Sequence, residues 1–225
     1  MPLLGNAAML LSFDVVEDAI VEHDRWHTEE HLPERLSIPG FRRGTRWIAA
    51  SGRPRYFVMY EVADLETLES RPYRERLDNP SAWTSRIMPQ YRGMTRGLCN
   101  VAASAGAGLG GAAILVRFTL GTAENAFRAW IADDALPRLA ARAGFGSAHA
   151  FERSATPHMT AEQRIRGADA GMDWALLVTG YDADALDALA SSGDVVDTLA
   201  SRGATHASSA TYRLHYMLID RELRR

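Results

Sequence analysis

Two stretches of the chain overlay without a gap. Residues 26–47 read WHTEEHLPERLSIPGFRRGTRW, and residues 130–151 read WIADDALPRLAARAGFGSAHAF. An offset of 104 sets Trp26 on Trp130, Leu32-Pro33 on Leu136-Pro137 and Gly40-Phe41 on Gly144-Phe145, with Glu29-Glu30 on Asp133-Asp134. This self-match constrains the fold more tightly than composition does, because whatever unit forms must form twice.

The surroundings repeat in kind. A short apolar run precedes each copy (8–15 and 112–120) and another follows it (56–62 and 174–181). Helical stretches come next (65–77 and 183–200), and strand-like segments close each half, around 94–103 and 209–220. Each half therefore reads strand, helix, strand, strand, helix, strand. Right-handed crossovers in that order place both helices on one face of a four-stranded antiparallel sheet. The expected fold class is α+β: two ferredoxin-like βαββαβ repeats, 1–104 and 112–225, joined by a glycine-rich linker over 105–111. The sheet faces left bare by the helices are expected to pack on each other as an intramolecular α/β barrel. Gly106, Gly108 and Gly111 match the spacing of a dinucleotide-binding loop, but the residues that follow, AAILVRFTL, suit a strand rather than the helix that motif must open, so they read as linker.

Composition removes several function classes. The net charge is -3, which argues against a nucleic-acid binder working by phosphate neutralisation. All 25 basic residues are arginine, so Schiff-base chemistry, lysine-anchored pyridoxal phosphate and the lysine-ended phosphate loop are excluded. Cys99 stands alone and reads as a buried structural thiol, with no disulfide to form. The opening MPLLGNAAMLLSFDVV has no basic n-region and its apolar run is cut by Asp14, so neither a signal peptide nor a membrane span is expected, and a cytoplasmic location is.

The stretch EHDRWHTEEHLP carries His23, His27 and His31. Residues 16 to about 36 are expected to be helical, capped by Asp14 and stopped at Pro39-Gly40. Positions 16, 20, 23, 27, 30, 31 and 34 then share one face, which should look toward the sheet. His23 and His31 stand roughly 12 Å apart along such an axis, too far for one ion to take all three histidines. Thr28 occupies the place of the glutamate in the zinc-protease motif, so no metal site is expected; a His27–His31 pair is the alternative. At the three histidine positions the second copy carries Phe127, Ile131 and Ala135. Histidines confined to one copy of a repeated frame point to proton transfer rather than to packing. Arg46, Tyr60 and Glu61 on neighbouring strands are candidate partners, although alternation alone does not say which strand face meets the helix. The segment 71–92 reads as a lid or as a helix packed on the barrel rim, and 154–171, with His158, as an exposed loop.

Trp26, Glu30-His31, Pro33 and Pro39-Gly40-Phe41 resemble the helix-to-strand signature of EthD-like members of the dimeric α/β-barrel superfamily. The resemblance covers nearly the whole chain as two copies. It implies cofactor-independent proton-transfer or monooxygenase chemistry on a small apolar or aromatic substrate. His31 would be the catalytic acid or base, Glu30 would orient it and His27 would line the site, with Trp26, His23, Arg46 and Tyr60 binding substrate. No cofactor is expected. Haem binding or degradation, implied by other branches, is one alternative, and a non-catalytic metabolite-binding or accessory protein is another. A small-molecule partner is expected, with no nucleic acid and no membrane, and a homodimer of two-repeat chains is open.

Overall fold

Alternation along the strand-like runs becomes one continuous sheet. The computed structural model describes residues 3–50, 53–121, 124–155, 160–167 and 169–223. The strands are β1 Ala7–Val15, β2 Phe41–Ala49, β3 Tyr56–Val62, β4 Tyr91–Gly106, β5 Ala112–Leu120, β6 Phe145–Ala155, β7 Ala170–Gly171, β8 Trp174–Gly180 and β9 Ala204–Ile219. They run β1-β3-β2-β9-β5-β8-β6-β4, and β4 pairs back onto β1, closing an eight-stranded antiparallel barrel; two-residue β7 lies parallel on β4. Within each half the order is β4-β1-β3-β2 and β9-β5-β8-β6, the ferredoxin-like arrangement twice. The α+β, two-repeat barrel expected from the sequence is the observed fold.

The closing strands make the seams. β4 and β9 are 16 residues each, longer than the apolar runs at 94–103 and 209–220 suggest. Residues 91–100 of β4 pair with β1, and 98–106 pair with β6 of the other half. On β9, 204–213 pair with β5, and 212–219 pair with β2. The extensions are small or polar (ASAG, ATHASS), so nothing in their own pattern announces a strand; β6 of the other half pairs with ASAG, and β5 of the same half pairs with ATHASS.

Side-chain alternation then sorts the apolar residues into three cores. The barrel interior is shared by both halves: Leu10, Trp47, Phe57 and Met59 from one meet Leu115, Phe151, Leu177 and Tyr212 from the other. Cys99 lies fully buried there, and burial pushes its thiol up to about 12, the inert state of a packing residue. Outside the barrel each half has its own core under its helices. Tyr56, Val58, Tyr60 and Val62 belong to the helix-facing core of the first half, which settles the strand face that alternation left open.

The helix after β1 spans 17–36. It begins with a 3₁₀ turn, Glu17–Ala19, and continues as Ile20–Trp26. It widens to a π turn over His27–His31 and ends with Leu32–Leu36. Asp14 is not its cap: Val16 stands at the N-terminus with no side-chain bond, and Asp14 Oδ1 instead accepts from the Arg55 N–H at 2.8 Å. The π turn has a local cause. Pro33 offers no N–H and its ring would crowd the carbonyl four residues back, so the ladder shifts to a bond from Leu32 N–H to the His27 carbonyl. Pro137 does the same over Ile131–Ala135. Because the turn recurs where the histidines do not, it belongs to the frame. Gly40 and Gly144 follow at φ +97° and +89°, in the left-handed region that turns each chain into its next strand.

The frame also needs a glycine on β2. A Cβ at Gly44 would stand 2.1 Å from Leu32 Cδ2 and 3.3 Å from the Tyr60 ring, both fully buried, whereas the second half carries Ala148 at the matching position. Gly44→Ala is expected to destabilise the fold by about 1–3 kcal/mol in denaturant unfolding, the cost of overpacking. A loss below about 0.5 kcal/mol would mean that Leu32 repacks freely.

Two insertions complete the structure. The 71–92 segment forms helices Arg71–Asp78 and Ala82–Ile87, capped by the hydroxyls of Ser70 and Ser81 and packed through Tyr73, Leu77 and Ile87. The expectation of an exposed loop over 154–171 is corrected. β6 runs to Ala155, and Ala161–Arg166 is a helix with a Thr160–Gln163 capping box that buries Glu162 and Gln163 against the first half. His158 lies outside the described residues. Among the described residues no helix is long and apolar enough to cross a membrane.

Candidate functional site

The histidine stripe faces inward. His23, His27 and His31 are 0%, 2% and 7% exposed, and their rings follow one another at 5.7 and 5.6 Å between centroids. His23 is held at both ends: Nδ1 lies 3.1 Å from Asp24 Oδ1 and Nε2 3.2 Å from the Tyr91 hydroxyl. Burial is the main reason its pKa is lowered, with Arg46 and Arg55 adding to it and Asp24 opposing. Asp24 also accepts from the Tyr56 hydroxyl at 2.8 Å. Burial pushes its carboxyl up, but the bonds from His23 and Tyr56 and the Arg46 charge outweigh that and hold it below its usual value.

His27 sits deeper in chemical terms. Nε2 lies 3.4 Å from the Tyr60 hydroxyl, whereas Nδ1 is buried without a hydrogen-bond partner in the protein. Burial first, then the positive surroundings of His23, Arg46, Arg35 and His215, drives its pKa well below that of an ordinary imidazole, so the ring is neutral at pH 7. Burial likewise raises the Tyr60 phenol above its ordinary value, keeping it protonated. His31 stacks on Trp26 at 4.3 Å. Glu30 accepts from Trp26 Nε1 at 3.1 Å, from Thr84 Oγ1 at 3.2 Å and from the Ser81 hydroxyl. Those bonds commit the carboxylate to the 81–84 turn and tie the insertion helix to the histidine helix.

Arg46 is 3% exposed and clamps the helix to the sheet. It donates to the Asp24 carbonyl (2.9 Å), to Thr28 Oγ1 (3.0 Å) and to Nδ1 of His215 (3.1 Å) on β9. Arg35, one turn beyond His31 and 1% exposed, pairs with Glu162 from the second half and packs over the Tyr73 ring at 5.7 Å. Burial pulls this guanidinium down, but Glu162, then Tyr73, Tyr60 and Glu34, raise it above the ordinary arginine value.

Seven of the candidate residues therefore stand on or against one helix; Glu61 does not, since it lies on the other face of β3 and accepts from Arg43 Nε at 2.6 Å. The neighbours that sequence reading missed are Asp24, Tyr56, Tyr91, Arg35, His215 and Glu162. Arg35 continues the stripe of 27 and 31, and an arginine on a buried stripe demands a counter-charge; that much was readable. His215 and Glu162 reach the site only because the barrel closes.

The second half differs where the sequence said it would, with a consequence the sequence did not announce. At the position corresponding to the histidines lies a cavity of about 320 Å³, lined by Trp130, Ile131, Ala135, Leu139 and Leu176 among others. Under the 104-residue offset Ala135 replaces His31 and Leu139 replaces Arg35. The volume those side chains fill in one half is open in the other.

The residues present do not fit haem. The imidazoles are packed against Trp26, Tyr56 and each other, so a macrocycle would have to displace that core. The cavity of the second half has no histidine, cysteine, methionine or tyrosine in its lining to serve as axial ligand. Among the described residues no group of three or more His, Cys, Asp or Glu side chains is placed to hold a metal ion.

No protein-family model and no curated protein sequence matches the chain. Solved structures do. An anthrone oxidase-like protein superposes with a TM-score of 0.67 at 11% identity, over 98% of this chain and 96% of that one. A protein of Fusobacterium nucleatum subsp. nucleatum ATCC 25586, provisionally described as a monooxygenase, gives 0.61 at 9% identity over 96% of both chains. One from Lactobacillus acidophilus NCFM, described in the same way, gives 0.61 at 7% identity over 96% and 97%. Identities this low speak for the fold alone, and the fold they share with this chain is the ferredoxin-like dimeric α/β barrel, here closed within a single polypeptide.

Proposed function

We propose that the chain is a small-molecule enzyme that moves a proton at the buried imidazoles of its first half, without a cofactor, in the way oxygenation of a small aromatic C–H acid requires. One observation carries this reading: His27 is a buried, neutral imidazole whose Nδ1 the protein leaves without a partner. Buried polar atoms are ordinarily satisfied, and an exception beside a second titratable group is a functional signal. In the tautomer that donates Nε2–H to Tyr60 Oη, Nδ1 carries the lone pair and takes the substrate's proton. Tyr60 holds the ring in that state, His23 is fixed by Asp24 and Tyr91, and His31 flanks His27 at 5.6 Å.

Anthrone is the first substrate to try, since one protein of the same fold is described as anthrone oxidase-like. The proton leaves carbon to His27, dioxygen accepts the electrons, one oxygen atom enters the anthraquinone product and the other leaves as water. Oxygen uptake should exceed the spontaneous rate, and His27→Phe should lower kcat by about 100-fold or more, the usual contribution of a general base. Tyr60→Phe should cost less and shift the pH profile. Turnover no faster than the spontaneous reaction across anthrone and related C–H acids, or an unchanged kcat in His27→Phe, would overturn the reading. A non-catalytic metabolite-binding protein is the second reading, favoured by the cavity lying in the half whose first helix carries no histidine stripe.

A further inference from the structure

The cavity of the second half is independent of the chemistry proposed for the first. Its floor is formed by Ile131, Leu176, Leu189 and Leu199, all nearly inaccessible, and its rim by exposed Arg138, Arg142, Asp194 and Thr198. The space therefore runs from solvent into an apolar interior. At about 320 Å³ it falls at the lower end of small-ligand sites.

Its distinguishing polar group is Trp130. In the first half the equivalent indole is satisfied, with Trp26 Nε1 donating to Glu30 at 3.1 Å and to Thr84 Oγ1 at 3.2 Å. In the second half the residue four places on is Asp134, one methylene shorter and drawn away by Arg138 at 2.7 Å. Trp130 Nε1 is left buried and without an acceptor in the protein. Arg202 stands over the indole ring at 4.9 Å, so the ring is held in place. The fold has thus kept the tryptophan, removed its acceptor, and opened a cavity beside it.

The rim decides the charge of what would bind. Arg138 is engaged by Asp134, and the remaining charged residues of the rim, Arg142 and Asp194, are of opposite sign. A strongly anionic ligand would meet Asp194 without an uncommitted pair of arginines to compensate. A neutral molecule with one oxygen acceptor satisfies both the apolar floor and the indole N–H.

We infer that the second half holds a separate binding site for a small, flat, largely apolar ketone, whose carbonyl oxygen accepts the hydrogen bond of Trp130 Nε1 while its rings lie over Ile131, Ala135 and Leu139.

Fluorenone and fluorene test this, since they share a ring system and differ by the carbonyl. Calorimetric titration should show fluorenone binding about fivefold or more tighter than fluorene, one net hydrogen bond's worth. Trp130→Phe should bring fluorenone down to the affinity of fluorene while changing fluorene little. Ala135→Phe and, separately, Leu139→Phe fill the cavity and should each weaken both ligands at least tenfold; circular dichroism and the melting temperature verify that each variant is folded. The site is refuted if fluorenone does not bind up to its solubility limit, if folded cavity-filling variants bind as the parent does, or if Trp130→Phe weakens the two ligands equally. None of these outcomes depends on oxygen uptake, so the site and the proposed enzyme activity stand or fall separately.

Discussion

Replacing Glu162 with alanine is expected to destabilise the protein by about 3 kcal/mol, because it leaves the Arg35 guanidinium buried without its main counter-charge. Both side chains are almost wholly inaccessible, at 1% and 2% exposure, and Glu34 Oε2, 3.6 Å from Arg35, is the nearest remaining carboxylate. For a chain of this size that loss corresponds to roughly 10 °C in Tm. Glu162→Gln should cost nearly as much, since it preserves volume but not charge. The double variant Arg35→Met with Glu162→Leu should recover most of the loss, because an apolar pair removes the desolvation cost along with the attraction. Denaturant unfolding of the four proteins gives the comparison. If Glu162→Ala loses less than about 1 kcal/mol, the 161–166 helix is not anchored through this pair.

Acidification should produce the other large effect. His149 on β6 is fully buried between Ser104 and Ser147, at 3.0 and 3.1 Å, and burial, helped by Arg43, lowers its pKa to about 4. His23 and His27 are lowered as well. A histidine depressed in the folded state stays neutral there while the unfolded chain takes up a proton. Stability is therefore full above the unfolded value near 6.5 and is lost as pH falls toward the folded one. For His149 alone the loss between about pH 6.5 and 4 is roughly 3 kcal/mol. Urea unfolding at several pH values should show this decline, and His149→Gln should flatten part of it while retaining a hydrogen-bonding side chain. A stability that is level from pH 7 to 5 would contradict the assignment.

The repeat made most of the architecture readable. Leu-Pro recurs because it sets the π turn and Gly-Phe because it starts a strand, and such positions depend on neighbours a few residues away. What stayed hidden depends on neighbours far away. The polar tail of β4 is a strand because β6 of the other half pairs with it, and the 161–166 helix buries its Glu162 because Arg35 waits for it. The same limit applies to the site. The stripe of His23, His27 and His31 follows from helical spacing, but that His215 stands against Arg46 follows only from the β2–β9 seam. The replacement of His31 and Arg35 by Ala135 and Leu139 was visible in the overlay as lost chemistry; its other meaning, lost volume, needed the packed structure to be seen.

The two seams carry one more implication. A barrel assembled from two separate chains forms in a second-order step and comes apart on dilution. Here residues 107–111 join the last strand of the first half to the first strand of the second, which holds one half near the other at an effective concentration on the order of millimolar. Closure becomes a first-order event, and the integrity of the sheet does not depend on how much of the protein is present.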